Sequence, residues 1–92
     1  MTKNVSLIAS GLVQGVGFRF STKMVADDMD VVGTVKNNID GTVSIEAQGP
    51  DDVIDEFIKK IKQGPSAFAK VKHLEITENE ELKNFTNFSV IG

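Results

Sequence analysis

The sequence predicts an α+β domain in which two helices cover one face of an antiparallel sheet. Apolar residues alternate with polar ones in four segments and recur with helical spacing in two others. These segments follow the order strand, helix, strand, strand, helix, strand, and a short strand closes the chain. This βαββαβ order is typical of the ferredoxin-like α/β sandwich. With 92 residues the chain fits a single domain, residues 1–92.

The first half of the chain contains a strand, a helix and a hairpin. Val5–Val13 alternates in the manner of a strand with one buried face. From Phe18 to Met29 the apolar residues fall on one helical face, and Val31–Val35 returns to a period of two. Asp40-Gly41 then predicts the reversal of a hairpin whose second strand is Val43–Ala47.

The second helix has clear signals at both ends. Gly49-Pro50 ends the preceding strand, and Asp51 or Asp52 is expected to cap the helix. Acidic residues at its start and the lysines within residues 59–62 at its end suit the helix dipole. Gly64-Pro65 predicts where the helix ends.

The last segments predict two further strands. Leu74 and Ile76 belong to a fourth strand that is entered through Ala69 and Val71, with an irregularity between these pairs. Residues 88–90 suit a short final strand.

The amino-acid composition limits the possible binding partners of the protein and its cellular compartment. The chain has no cysteine, so disulfides and thiolate metal sites are excluded. Its formal net charge of −3 argues against a nucleic-acid surface. No stretch approaches the roughly 18 apolar residues of a membrane-spanning helix. We expect a cytoplasmic protein and a monomer, with no nucleic-acid or membrane partner.

A glycine loop, Val13–Ser21 (VQGVGFRFS), joins the first strand to the first helix. Its glycines allow successive backbone N–H groups to turn toward one centre, and the helix N-terminus adds positive potential. Both features favour a bound phosphate. The loop is neither a Walker loop nor a dinucleotide-binding loop, because neither a Gly-Lys-Ser/Thr run nor the required third glycine follows.

The loop also contains Arg19, which is the only arginine of the chain, whereas the other nine basic residues are lysines. The arginine fork matches two phosphate oxygens at once, and a cation at a helix start needs a compensating partner. A bound phosphate is one such partner. The spacing leaves open the alternative that Arg19 lies over the helix or pairs with Asp27, Asp28 or Asp30.

Two segments closely resemble the signatures of the acylphosphatase family. Residues 11–19 (GLVQGVGFR) resemble the pattern G-x-V-Q-G-V-G-F-R. Residues 33–37 (GTVKN) and 40–43 (DGTV) resemble the second pattern, G-x-V-x-N followed by D-G-x-V. Gly64-Pro65 and residues 88–90 also fit, so the resemblance extends over essentially the whole chain and implies the same sandwich fold.

The resemblance implies that the chain hydrolyses the carboxyl-phosphate bond of acyl phosphates to a carboxylate and inorganic phosphate. It implies that Arg19 binds the phosphate and that Asn37 orients the attacking water. The backbone N–H groups that complete the phosphate site would be those of Gly15, Val16, Gly17 and Phe18. The chain departs from the family pattern at positions other than the two catalytic ones, namely Leu12, Asp30, Thr34 and Lys36.

This chemistry needs neither a metal nor a cofactor. The conjugate acid of the leaving carboxylate has a pKa of about 4, so the carboxylate departs with little protonation. Phosphoryl transfer relies mainly on positioning and charge stabilisation, which an arginine, a ring of N–H donors and an oriented water supply. His73, the only histidine, is assigned no chemical role, and Asn38 is interpreted as a turn residue.

Two other functions are compatible with the fold. One is a non-catalytic ferredoxin-like module that binds a phosphorylated or anionic small molecule. Asn37 argues against it, because a pure binder needs no water-orienting group. The other is an RNA-binding sandwich, which would need exposed aromatic residues on its central strands. The chain has no tyrosine or tryptophan, and the outward positions of the first strand are Ser6, Ile8 and Ser10.

Overall fold

The computed structural model describes all 92 residues and contains two helices packed on one five-stranded sheet. The predicted α+β sandwich is therefore confirmed. The elements in chain order are β1 (Thr2–Leu12), α1 (Phe18–Asp28), β2 (Val32–Asn37), β3 (Val43–Pro50), α2 (Asp51–Gln63), β4 (Lys70–Asn79) and β5 (Phe88–Val90).

The sheet has the strand order β4-β1-β3-β2-β5, and it is mixed rather than wholly antiparallel. Strands β1 to β4 pair antiparallel as predicted. The final strand instead pairs parallel with β2, with Gly33 opposite Phe88 and Val35 opposite Val90. The period of two that predicted β5 reports one buried face, and it does not encode the direction of the partner strand.

A bulge lies where β1 approaches the glycine loop. Ser10 pairs with His73 but Gly11 pairs with Val71, so Lys72 is the extra residue. This is the predicted irregularity of the fourth strand.

The second helix begins without the predicted aspartate cap. Strand β3 runs to Pro50, which is the N-cap residue of α2 and provides no side-chain cap. Asp51 and Asp52 therefore lie inside the first turn, where they interact with the helix dipole. The helix ends at Gly64, as predicted, and this residue has a φ of 95°.

One hydrophobic core lies between the helices and the sheet. Phe57 of α2 and Phe88 of β5 meet there, with ring centroids 6.2 Å apart at an interplanar angle of 56°. Val13 and Phe18, which flank the glycine loop, are both buried in this core. Burying such side chains stabilises the fold by about 1.5–3 kcal/mol each, so both ends of the loop are firmly anchored.

The first helix ends in a hydrogen-bonded turn at Asp30, one of the positions where the chain departs from the family pattern. The N–H of Val31 donates to the carbonyl of Ala26, and that of Asp30 donates to Asp27. This is a Schellman motif, whose residue after the cap has a left-handed backbone and is usually glycine. Asp30 has a φ of 56° and is the only residue other than glycine with a positive φ.

The strain at Asp30 predicts a stabilising substitution. Because glycine adopts positive φ without a Cβ clash, Asp30→Gly should raise the free energy of unfolding by about 0.5–1 kcal/mol. Urea denaturation would measure this as a higher midpoint with an unchanged slope. Asp28→Gly is the matched control, because it places glycine inside the helix and should lower stability. Equal effects of the two changes would contradict the interpretation.

Candidate active site

The loop between β1 and α1 presents a run of unpaired backbone donors. The N–H groups of residues 15–20 donate to no carbonyl or side chain of the protein. The first turn of a helix always leaves such groups free, and here the run also includes the loop that precedes it. Donors of this kind, arranged around one turn, form an anion-binding site.

Two glycines shape this turn. Gly15 has a φ of 74° and Gly17 a φ of 76°, both in the left-handed region. A Cβ at either position would meet no atom within 4 Å. The glycines are therefore required for the backbone conformation and not for close packing.

A contact from a distant segment holds the loop in place. The hydroxyl of Ser66, in the connection between α2 and β4, donates to the carbonyl of Val16 at 2.9 Å. Val16 is half-buried and packs against the core. This bond satisfies the Val16 carbonyl and ties the loop to the connection between α2 and β4.

The electrostatics of α1 differ from those of α2. The N-cap of α1 is Gly17, with no side-chain cap, and the first turn has no acidic residue. The first turn of α2, by contrast, contains Asp51 and Asp52. The positive end of the α1 dipole thus has no acidic side chain in its first turn.

Arg19 lies in this first turn and makes a single hydrogen bond within the protein. Its Nη1 donates to a main-chain oxygen of Gly92 at 2.8 Å. It forms no ion pair with Asp27, Asp28 or Asp30, and Asp27 instead pairs with Lys23 at 2.7 Å. The other donors of the guanidinium fork are available to an anion.

Asn37 ends β2 and meets Arg19 through one shared oxygen. Its backbone N–H donates to the same Gly92 oxygen at 2.9 Å. The structure thus brings Arg19 and Asn37, the two residues singled out from the sequence, to one shared acceptor.

The side chain of Asn37 makes no hydrogen bond with the protein. Its Oδ1 is buried and is one of two buried side-chain polar atoms without a partner, the other being Thr22 Oγ1. Native structures seldom leave such an atom unpaired, and the exceptions call for an explanation. Because neither end of the carboxamide is held, a rotation about χ2 exchanges its oxygen and nitrogen without breaking a bond.

The hairpin that carries Asn37 is stabilised by its own side chains. Asn38 Nδ2 donates to the hydroxyls of Thr42 at 2.9 Å and Ser44 at 2.7 Å. Asp40 accepts bonds from the hydroxyl and the N–H of Thr42, which hold the pKa of its carboxyl below the ordinary value. Asn38 and Asp40 therefore have structural partners, in agreement with their interpretation as turn residues.

Gln14 joins the loop to this hairpin, a role that sequence reasoning did not assign. Its Nε2 donates to the carbonyls of Asn38 at 2.9 Å and Thr42 at 2.8 Å. Both amide hydrogens are thus used to hold the hairpin against the loop. The sequence motif contained Gln14 but gave no sign of its partners, and nothing in the sequence pointed to Ser66 or Gly92.

A cleft of about 270 Å³ opens beside the loop. Asn37 is not among its lining residues. A larger hollow of about 490 Å³ lies near the start of β1, at the other end of the sheet, but four glutamates and no apolar side chain line it. An anion would be repelled there. The cleft is lined by Val13, Gly15, Gly17, Phe18, Arg19, Phe20 and Val90.

Comparison with known proteins identifies the family of the chain. The acylphosphatase family model matches residues 5–90. The chain is 49% identical to an acylphosphatase of Lactobacillus gasseri, over 97% of this chain and 98% of that protein. The crystal structure of acylphosphatase from Bacillus subtilis superimposes with a TM-score of 0.94 and 39% identity, covering all of both chains.

An acylphosphatase structure from Coxiella burnetii is similar at a TM-score of 0.91 and 29% identity, covering 98% of this chain and 93% of that one. The fold and the loop define a small α/β sandwich with a run of unpaired backbone N–H groups at the start of its first helix. The chain belongs to the acylphosphatase family.

The contacts of Gln14 predict that its removal loosens the hairpin. Gln14→Ala removes two hydrogen bonds to carbonyls that each keep one backbone donor, and we expect stability to fall by about 1–2 kcal/mol. Amide hydrogen exchange should also speed up at Asn38, whose N–H donates to the Thr42 carbonyl that Gln14 holds. Gln63→Ala, at the exposed end of α2, is the control and should change neither quantity. Unaltered exchange at Asn38 in Gln14→Ala would refute the link.

Proposed function

We propose that the protein hydrolyses the carboxyl-phosphate bond of acyl phosphates without a metal ion, using Arg19 and the loop backbone to bind phosphate and Asn37 to orient water. The hydrolase class follows from the family to which the chain belongs. The observation that carries the assignment of the site is the run of unpaired N–H groups at residues 15–20, with Arg19 inside it.

The phosphate binding rests on charge and geometry. The N–H groups of Gly15, Val16, Gly17 and Phe18 surround one turn, and the α1 dipole adds positive potential to them. The guanidinium of Arg19 offers planar donors that match two phosphate oxygens. Charge that develops on the equatorial oxygens during transfer meets donors that need no rearrangement.

The water site rests on Asn37. Its carboxamide is free of protein partners, so its carbonyl can accept a hydrogen bond from a water molecule after rotation about χ2. Its backbone is held at the end of β2 by Gly92. A water fixed beside the bound phosphate needs no large motion before it attacks the phosphorus.

The reaction balances with these groups alone. The water oxygen bonds to phosphorus, and the bond between phosphorus and the carboxyl oxygen breaks with its electron pair on that oxygen. The leaving carboxylate is the conjugate base of an acid with a pKa of about 4, so no general acid is required. The water proton passes to an oxygen of the phosphate. A protein base near neutral pH, visible in a pH-rate profile, would contradict this last step.

The alternative is a non-catalytic module that binds a phosphorylated or anionic small molecule through the same loop. Asn37 again separates the two functions, since a binder gains nothing from an unpaired buried carbonyl that costs about 1–3 kcal/mol.

We also propose that the chain acts as one domain, residues 1–92, and as a monomer in the cytoplasm. Neither α1 nor α2 has the length and apolar character needed to cross a membrane. Light scattering after size exclusion would reveal a dimer if the monomer proposal were wrong.

Arg19→Lys tests the phosphate site. Lysine retains the positive charge but loses the fork, so we expect turnover to fall by about 10²-fold or more and inhibition by inorganic phosphate to weaken. Circular dichroism and the unfolding midpoint should match wild type. Lys23→Arg is a useful control on the same helix and should leave the kinetics unchanged. Wild-type turnover in Arg19→Lys would exclude the assigned role.

Asn37→Ala tests the water site. We expect turnover to fall by about 10²-fold or more, the scale of one transition-state contact, while phosphate inhibition stays close to wild type. Because the substitution removes an unpaired buried carbonyl, the protein should be at least as stable as wild type. If phosphate affinity falls as steeply as turnover, Asn37 belongs to the phosphate site instead.

The first experiment is the release of inorganic phosphate from acetyl phosphate in the presence of a chelator, with wild type and Asn37→Ala side by side. Rapid release by wild type alone would support the enzyme and its water site together. Phosphate binding without hydrolysis in wild type would favour the binding module.

A further inference from the structure

The cleft beside the loop has an apolar wall that the phosphate site does not use. Val13 and Phe18 are buried in the core, and Gly15, Gly17 and Arg19 belong to the anion site. Two apolar side chains of the lining remain, and both are exposed: Phe20 at 73% and Val90 at 40%.

Phe20 follows Arg19 directly in α1, and Val90 lies on β5 two residues before Gly92, the partner of Arg19. The two side chains therefore border the cation from two different elements. A concave site that combines apolar side chains with a few convergent polar or charged groups is typical of small-molecule binding. The charge distribution suits a ligand with an anionic end and an apolar end.

The in-line geometry of phosphoryl transfer indicates which end of the substrate lies in the cleft. In phosphoryl transfer the attacking and leaving oxygens lie roughly in line on opposite sides of phosphorus. The water lies beside Asn37, which does not line the cleft. The leaving acyl group therefore points away from Asn37 and into the space that Phe20 and Val90 border.

We propose that Phe20 and Val90 contact the acyl group, and that this contact raises kcat/KM for acyl phosphates with an aromatic acyl group relative to those with a small one. This rests on the proposed function. Phe20 is the larger contributor, since its ring can stack against an aromatic acyl group.

The test compares benzoyl phosphate with acetyl phosphate, using the ratio of their kcat/KM values in each variant. A comparison of ratios between variants cancels the different intrinsic reactivities of the two substrates. In Phe20→Ala the ratio should fall by about twofold to tenfold relative to wild type, the range expected for loss of one aromatic contact. The ratio for Phe20→Leu should lie between those of wild type and Phe20→Ala. Val90→Ala should lower the ratio by a smaller factor than Phe20→Ala.

Phe68→Ala is the matched control. Phe68 is as exposed as Phe20, at 77%, but it does not line the cleft, so its removal should leave the ratio at the wild-type value. Inhibition by inorganic phosphate reports on the loop and should change less than twofold in Phe20→Ala.

The outcomes separate this proposal from the function on which it rests. An unchanged ratio in Phe20→Ala, or an equal fall in Phe68→Ala, would overturn the proposed contact of Phe20 and Val90 with the acyl group, while the proposed hydrolysis would stand. Failure of wild type to hydrolyse either substrate would overturn the proposed function, and with it the proposed acyl contact of Phe20 and Val90.

Discussion

The site depends on the burial of both ends of the glycine loop in a single core. Val13 and Phe18 are nearly inaccessible to solvent, so only four residues can turn the chain from β1 into α1. The turn that achieves this requires left-handed backbone at Gly15 and Gly17, and it leaves the amides of residues 15–20 without internal partners. The core thus sets the position of the donors before a ligand arrives, which is the preorganisation that electrostatic stabilisation requires.

Two other segments must then align around this loop. Gln14 holds the β2–β3 hairpin against it, and a main-chain oxygen of Gly92 accepts hydrogen bonds from both Arg19 and the backbone of Asn37. The last contact exists because β5 pairs with β2 in one register. A slip of one residue would reverse the faces of β5, expose Phe88 and move Gly92 away from Arg19. Packing of Phe88 in the core therefore contributes to the geometry of the site as well as to stability.

Charge is distributed so that an acidic protein can hold an anion. The formal net charge is −3, but the first turn of α1 has no acidic residue. The acidic hollow formed by Glu46 and the glutamates of residues 78–81 lies at the opposite end of the sheet. Salt screens exposed charges beyond about 8 Å at physiological ionic strength, so the local field at the loop outweighs the overall charge.

The order of elements, the position of the glycine loop and the family could all be predicted from the sequence, because local hydrophobic period, turn residues and two motifs are properties of short segments. The sequence also indicated the bulge in β4 through a break in alternation near Val71. Contacts between distant segments were needed to establish that β5 lies parallel to β2 and that Pro50 is the N-cap residue of α2. The same is true of the hydrogen bonds of Gln14, Ser66 and Gly92 around the loop. These features depend on contacts between segments up to 73 residues apart, and no local pattern encodes which distant carbonyl a side chain will meet.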